Sequence, residues 1–267
     1  MFLSNLTELT LSQGYRQFFK VVPALNDALR AENYRIRHEV YCRELGFEQP
    51  RPDGLEADDF DDRSVHCLVQ SVATGQYVGC ARLVLLDPAH PADRLPVEIT
   101  CEGTLDHSIV DPMALDRFRI AEISRLAVIG SYRRRRGEQD KPISLSEEDF
   151  GTVQRPRQPY LALAVYLGLI ALARHYGVKT IFVLTEPRLA MNLSRLGVRL
   201  EQIGAGVEHR GVRVPSMMSV AEIIEGMNFL LRALFEVISR EVKEGLDAAG
   251  ADARRANHLP LPCSGGQ

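Results

Sequence analysis

Glu122-Ile123-Ser124-Arg125-Leu126-Ala127-Val128 reads as a buried strand that carries an acid and a base three residues apart. Ile123, Leu126, Ala127 and Val128 supply its apolar character. A charge on a buried strand costs several kcal/mol unless it is paired or used. The stretch is therefore either a strained structural element or the floor of an active site.

Downstream of this strand, residues 160–176 form a helix that is apolar almost all round and hence buried, and residues 178–184 form a second buried strand. The unit from 120 to 184 is thus a strand–helix–strand crossover, expected to be right-handed. Upstream, residues 65–71 and 77–86 are rich in strand formers around a turn at Gly75, and residues 97–100 suggest a short strand. Leu25, Leu29, Ile36, Val40 and the Tyr41/Leu45 pair recur at roughly helical spacing and predict a helix over 24–46, stopped by Gly46. Past the crossover, the pattern predicts a short helix over 187–196 stopped by Gly197, then a hairpin of 198–203 and 207–214 around Gly204-Ala205-Gly206. A long helix over 219–246 opens on a Ser219/Glu222 capping box. The Ala/Gly/Pro-rich end from 248 reads as a disordered tail. This order implies an α/β (α+β) fold, a mixed and mostly antiparallel central sheet with helices on both faces. It implies one domain over 1–247, its core at about 15–230.

The 267 residues are 45% apolar and 25% charged, with a net charge of −3. That balance points neither to nucleic acid nor to an acidic membrane surface. The five cysteines include no C-x-x-C pair, which argues against a disulfide framework and a zinc site and favours a reducing compartment. The first fifteen residues lack the basic region and apolar core of a signal peptide. The longest apolar run, 161–173, is short of the about 20 residues that a membrane span needs. A cytoplasmic, soluble protein is expected.

Four pieces in order carry a resemblance. Arg37, Tyr41 and Phe47 give a basic–aromatic–aromatic pattern in and after the first helix. Glu56-Ala57-Asp58-Asp59-Phe60-Asp61 pairs acids around an aromatic. Gly79-Cys80-Ala81-Arg82-Leu83 places an arginine on a strand, and Glu122-Ile123-Ser124-Arg125 follows. The chain resembles N-acyltransferases of the GNAT superfamily, on the branch of autoinducer (acyl-homoserine-lactone) synthases and N-acyl amino acid synthases, and most of all those associated with the PEP-CTERM/exosortase system. Phe47 stands where that branch often has Trp, and this chain has none. The segments 88–118 and 130–157 are longer than a minimal synthase needs. The phosphate-cradling loop of GNAT proteins is not intact: Tyr132-Arg133-Arg134-Arg135-Arg136-Gly137 has one glycine.

The resemblance implies amide formation from an acyl thioester, with acyl carrier protein or CoA as donor and a small amine as acceptor, and no bound cofactor or metal. Glu122 is then the candidate base and Arg125 its catalytic neighbour. Read only as residues, Glu122 is equally a salt-bridge partner of Arg125 or Arg82. Arg82 and Arg125 suit an acceptor carboxylate, or serve to neutralise Asp58, Asp61 and Glu122. Arg37, Tyr41 and Phe47 join the implied acceptor site with Asp58 and Asp61, which would hold an ammonium group. An oxyanion amide is expected from a bulge around Ala127 or Val128. Arg133, Arg134, Arg135 and Arg136 read as a docking patch for an acidic carrier protein or pantetheine phosphate, or as a solvated loop; aromatics interleaved for nucleic acid are absent beyond Tyr132. The helix 160–176 and the strand after it suit an acyl tunnel or plain core. His66 and Cys67, adjacent on a strand, face opposite ways and form no dyad. Any membrane contact would be peripheral, through a lipid product. The rivals are an autoinducer synthase using S-adenosylmethionine and a non-catalytic GNAT-like protein that binds an acyl carrier.

Overall fold

The computed structural model describes residues 12, 14–87, 89–90, 92–132, 160–195 and 198–256. Its centre is an eight-stranded sheet built from β1 (Phe19–Ala24), β2 (Ser64–Ser71), β3 (Tyr77–Leu85), β4 (Ile120–Val128), β5 (Thr180–Thr185), β6 (Glu201–Gln202), β7 (Val207–Glu208) and β8 (Val212–Ser219). The order is β1-β2-β3-β4-β5-β8-β6, with β7 on β8. Only β4 and β5 pair in parallel; the other neighbours are antiparallel. The mixed, mostly antiparallel sheet is the expected one.

Helices cover both faces. On one lies α1 (Asp27–Arg37), capped by Asn26, whose Oδ1 accepts from Leu29 N at 2.9 Å. The helix then widens into a π-helical stretch, His38–Glu44, and Gly46 follows at φ +62°. On the other lies α3 (Tyr160–His175), sandwiched between the sheet and the last helix. Strand alternation divides the side chains between these layers. Ala81 and Leu83 of β3, with Ala121 and Ile123 of β4, pack under α3. Cys80 faces α1 and Val84 faces a third apolar cluster.

Several elements differ from the sequence expectation. Phe19–Ala24, for which the sequence reading names no strand, is an edge strand; Lys20 and Pro23 hide its pattern, and Pro is tolerated at a sheet edge. Residues 97–100, expected as a strand, lie in α2 (Pro96–Thr100), since Pro96 suits a first helical position. The short helix expected over 187–196 is α4 (Pro187–Arg195), and Gly197 lies outside the described residues. The expected hairpin is rearranged: β6 and β7 both pair with β8. The helix expected over 219–246 is two, α5 (Val220–Gly226) and α6 (Phe229–Ala256). Asn228 ends the continuity by capping the second, its Oδ1 accepting from Leu231 N at 3.0 Å. Helix α6 therefore runs past 248, where a disordered tail was expected. Among the described residues no helix is long and apolar enough to cross a membrane.

The contact between α3 and the sheet leaves no room at Gly168. A Cβ there would stand 2.6 Å from Cys67 Sγ and 3.0 Å from Val21 Cγ1. Gly168→Ala should overpack this layer and destabilise the fold by about 1–3 kcal/mol. Chemical denaturation reads this directly, and an unchanged midpoint would contradict the close approach.

Candidate active site

Strand β4 departs from regular alternation at one place. Cys80 pairs with Ala127 and Arg82 with Ser124, so Ala81 faces two residues, Arg125 and Leu126. Arg125 has φ +53°, a left-handed conformation that costs a non-glycine residue about 1–2 kcal/mol. This bulge reverses the parity of the strand. Ile123 lies under α3, and regular alternation would send Arg125 there too. Instead Arg125 joins Arg82, Glu122 and Ser124 on the opposite side, where Arg82 Nε donates to Ser124 Oγ at 3.0 Å.

The loop between α1 and β2 meets this surface with its acids. Arg82 Nη1 donates to Asp58 Oδ1 at 2.5 Å and to Asp61 Oδ1 at 2.8 Å, and its Nη2 donates to Asp58 Oδ2 at 3.0 Å. Arg125 donates to Glu56 at 3.2 Å and to Asp58 at 2.8 Å. Arg37 reaches Asp61 at 2.6 Å and also bonds Glu56. Three guanidinium groups thus meet three carboxylates, and Arg37 and Arg82 are essentially sealed from solvent. Burial alone would raise the Asp61 carboxyl, but Arg37 and Arg82 take it down to about 2. Asp58 is lowered likewise, Arg82 and Arg125 outweighing its burial.

Glu122 stands apart from this network. Among the described residues no hydrogen bond or ion pair joins it to Arg82 or Arg125, so the salt-bridge alternative does not hold. Its Oε2 accepts from the Val97 amide at 2.6 Å, at the start of α2. Burial, opposed by that bond and by the two arginines, pushes its carboxyl up to about 8.

Above Glu122 the sheet opens. The parallel pairing of β4 with β5 ends at Ile123 and Val183, while β5 stays with β8 to Thr185. A cavity of about 250 Å³ fills the gap. Leu126, Val183, Leu184, Leu189 and Leu193 give its lining an apolar part, and Asp58, Arg82, Arg125 and Glu122 a polar one. His209, Arg210 and Arg213 also line it. Burial lowers the His209 imidazole, and Arg210, Arg213 and Arg125 lower it further.

Of the expected site residues, Tyr41, Phe47, Asp58, Arg82, Glu122 and Arg125 line this cavity. Tyr41 donates to the Leu126 carbonyl at 2.9 Å and stacks on Phe47. Arg37 and Asp61 lie outside the lining. Ala127 and Val128 do not reach the cavity: they are buried in the ladder opposite Cys80 and Gly79. The irregular backbone expected there falls two residues earlier, at Arg125 and Leu126. Arg133, Arg134, Arg135 and Arg136 lie outside the described residues. Helix α3 contributes Tyr166 to the lining and is otherwise core. His66 and Cys67 do part, His66 edge-on to Tyr34 and Cys67 under α3. The sequence reading missed Ser124, His209, Arg210 and Arg213, and took Glu56 only as part of a pattern; the acid-rich run around Glu56 was the one available signal.

Residues 36–140 match the family described as the acetyltransferase (GNAT) domain. The fold of the chain is similar to the solved structure of MesI, a CoA-dependent acyl-homoserine lactone synthase, at TM-score 0.52 and 24% identity over 82% of this chain and 95% of that one. TofI, in a ternary complex with an inhibitor and MTA, is similar at 0.52 and 19%, over 77% and 96%. The AHL synthase LasI is similar at 0.51 and 16%, over 79% and 95%. At such identities the likeness is one of fold. No curated protein sequence matches the chain.

Asp61 holds two sealed guanidinium groups at once, so Asp61→Asn should cost about 3–5 kcal/mol in urea unfolding at neutral pH. The sign of the pH effect follows from the lowered carboxyl. The wild-type stability that Asp61 provides is present above its unfolded value of 3.8 and is lost as pH falls through about 2. The gap between wild type and variant should therefore close in acid.

Proposed function

We propose that this protein is an N-acyltransferase that moves a fatty acyl group from a thioester, on acyl carrier protein or CoA, to the amine of an amino acid or similar small acceptor. The observation that carries the reading is Glu122, a carboxyl held at about 8 in the lining of a cavity that combines apolar side chains with four arginines. In amide formation the amine nitrogen bonds to the thioester carbonyl carbon, the C–S bond breaks, the amine loses a proton and the departing thiolate gains one. An α-amino group titrates at about 7.7–8.0 and a thiol at about 8.5. A group at about 8 exchanges protons with either at little cost. An ordinary carboxylate is too weak a base for this, and a guanidinium cannot release its proton at all.

The apolar side chains suit an acyl chain and the polar ones an acceptor. Arg125 would meet the reacting groups while Glu56 and Asp58 hold it in place. The bulge at Arg125 and Leu126 is the stretch from which an oxyanion amide would come. The described elements are read as one domain whose last helix, α6, extends to Ala256, in a cytoplasmic protein with no role for nucleic acid. Carrier protein as donor and the PEP-CTERM/exosortase association rest on the sequence pattern alone.

The test is purified protein with acyl-CoA or acyl carrier protein and either amino acids or S-adenosylmethionine, products read by mass spectrometry. N-acyl amino acids are expected. Lactones made from S-adenosylmethionine would replace the acceptor, and binding without turnover would defeat the assignment. Glu122→Gln should lower kcat about 10²–10⁴-fold. Its fold should survive, because Gln keeps an acceptor for the Val97 amide.

The pH dependence separates chemistry from stability. Both the base and the acceptor amine must be deprotonated, so kcat/KM should rise with pH through about 8 in the wild type with two overlapping ionisations, and Glu122→Gln should keep only the shallower limb of the amine. Stability runs the other way. The unfolded carboxyl ionises near 4.5 and the folded one only near 8, so the wild type loses stability between those values as pH rises. The variant is spared this loss, and its Tm should equal or exceed that of the wild type at pH 8.

A further inference from the structure

Arg82 and Arg125 suit an acceptor carboxylate by side-chain chemistry, but both are already engaged. Arg82 serves Ser124, Asp58 and Asp61; Arg125 serves Glu56 and Asp58. Two further arginines line the cavity, Arg210 from the turn between β7 and β8 and Arg213 from the start of β8. That turn is tightly determined. Arg210 has φ +54° and Gly211 φ +92°. The His209 amide donates to the Gly211 carbonyl at 3.0 Å, and the Gly211 amide to Glu208 Oε1 at 3.0 Å. Arg213 Nε donates to the His209 carbonyl at 2.9 Å.

The two arginines are held differently. Arg210 is bonded to Glu48, 162 residues away in sequence. Arg213 has Glu186 at 3.7 Å from Nη2, beyond hydrogen-bond range. The charges that face the cavity are unequal. Arg82, Arg125, Arg210 and Arg213 line it against the carboxyls of Asp58 and Glu122. The acids that offset the arginines from behind, Glu48, Glu56 and Glu186, are not part of the lining. A ligand in the cavity therefore meets a cationic surface.

We propose that Arg213, with Arg210, is a specificity-determining site for an anionic oxygen group, carboxylate or phosphate, of a substrate held in this cavity. The inference rests on the acyltransferase reading, which supplies two sources: the carboxylate of an amino acid acceptor and the phosphates of the donor. A planar guanidinium fork pairs with either through two parallel hydrogen bonds.

Calorimetric titration tests this without turnover. Wild type, Arg213→Ala and Arg213→Lys are titrated with N-dodecanoylglycine, with its methyl ester and with CoA. If the anion is the acceptor's, the wild type should bind the free acid at least about tenfold more tightly than the ester. Arg213→Ala should erase that preference, and Arg213→Lys should restore part of it. If the anion is the donor's, Arg213→Ala should weaken CoA about tenfold and leave the acid–ester ratio unchanged. Wild-type affinities for all three ligands retained in Arg213→Ala, or no binding by the wild type, would overturn the proposal. Turnover reports separately. Protein that shows the preference but acylates no amine defeats the acyltransferase reading while the anion site stands. Where turnover occurs, Arg213→Ala should raise KM for the anionic substrate and leave kcat nearly unchanged.

Discussion

The backbone of Arg125 turns into the left-handed region in the middle of a buried strand, and the site exists because it does. Without that turn, alternation would place the guanidinium under α3 among Ile123, Ala81 and Leu83, where it would have no acid to meet. The strain is offset by bonds that only the turned conformation allows. Glu56 and Asp58 accept from the guanidinium, the Tyr41 ring lies 5.9 Å beneath it, and the Tyr41 hydroxyl ties down the next carbonyl, that of Leu126. Strain of this kind persists where surrounding contacts over-determine it. The π-helical widening of the first helix is part of the same arrangement, since it carries Tyr41.

The charge bookkeeping around the bulge explains how Glu122 keeps its proton. Arg82 and Arg125 are near enough to favour its ionised form, yet Glu56, Asp58 and Asp61 already occupy their donors. Burial then decides the balance. Had Glu122 been paired with Arg125, it would ionise far below the range of amines and thiols, and could not pass a proton between them near neutrality. The network thus does two jobs: it orders the acid-rich loop and engages the arginines that would otherwise be free to pair with Glu122.

Sequence reading recovered the parts whose signal is local. The buried strand β4, the apolar helix after it and the antiparallel pair β2–β3 announce themselves by composition and period, and the order of Asp58, Asp61, Arg82, Glu122 and Arg125 is legible as a pattern. The bulge is not. An arginine at positive φ carries no glycine or asparagine to mark it, so the irregular backbone was assigned to Ala127 and Val128, two residues late. Arg210 and Arg213 were invisible for another reason. Their place at the cavity depends on β8 pairing with β5 and on a contact to Glu48 from the far end of the chain, neither of which has a local signature.

The segment between β3 and β4 links the two ends of the cavity. The buried Glu98–Arg117 pair, with bonds of 2.8 and 3.0 Å, fixes α2 within it. Helix α2 in turn delivers the Val97 amide to Glu122 and sets Pro96 and Thr100 into the lining. The same segment docks on the chain before β7: Asp106 N donates to the Ile203 carbonyl at 2.8 Å, and Ala205 N to the Thr104 carbonyl at 2.9 Å. Gly204 is the contact point, for a Cβ there would lie 2.4 Å from the Thr104 carbonyl oxygen. The turn that bears Arg210, and the start of β8 that bears Arg213, follow a few residues further on. An insertion that looks like surplus length in the sequence therefore ties Glu122 to the cationic lining. A disturbance at either place has a covalent and hydrogen-bonded route to the other.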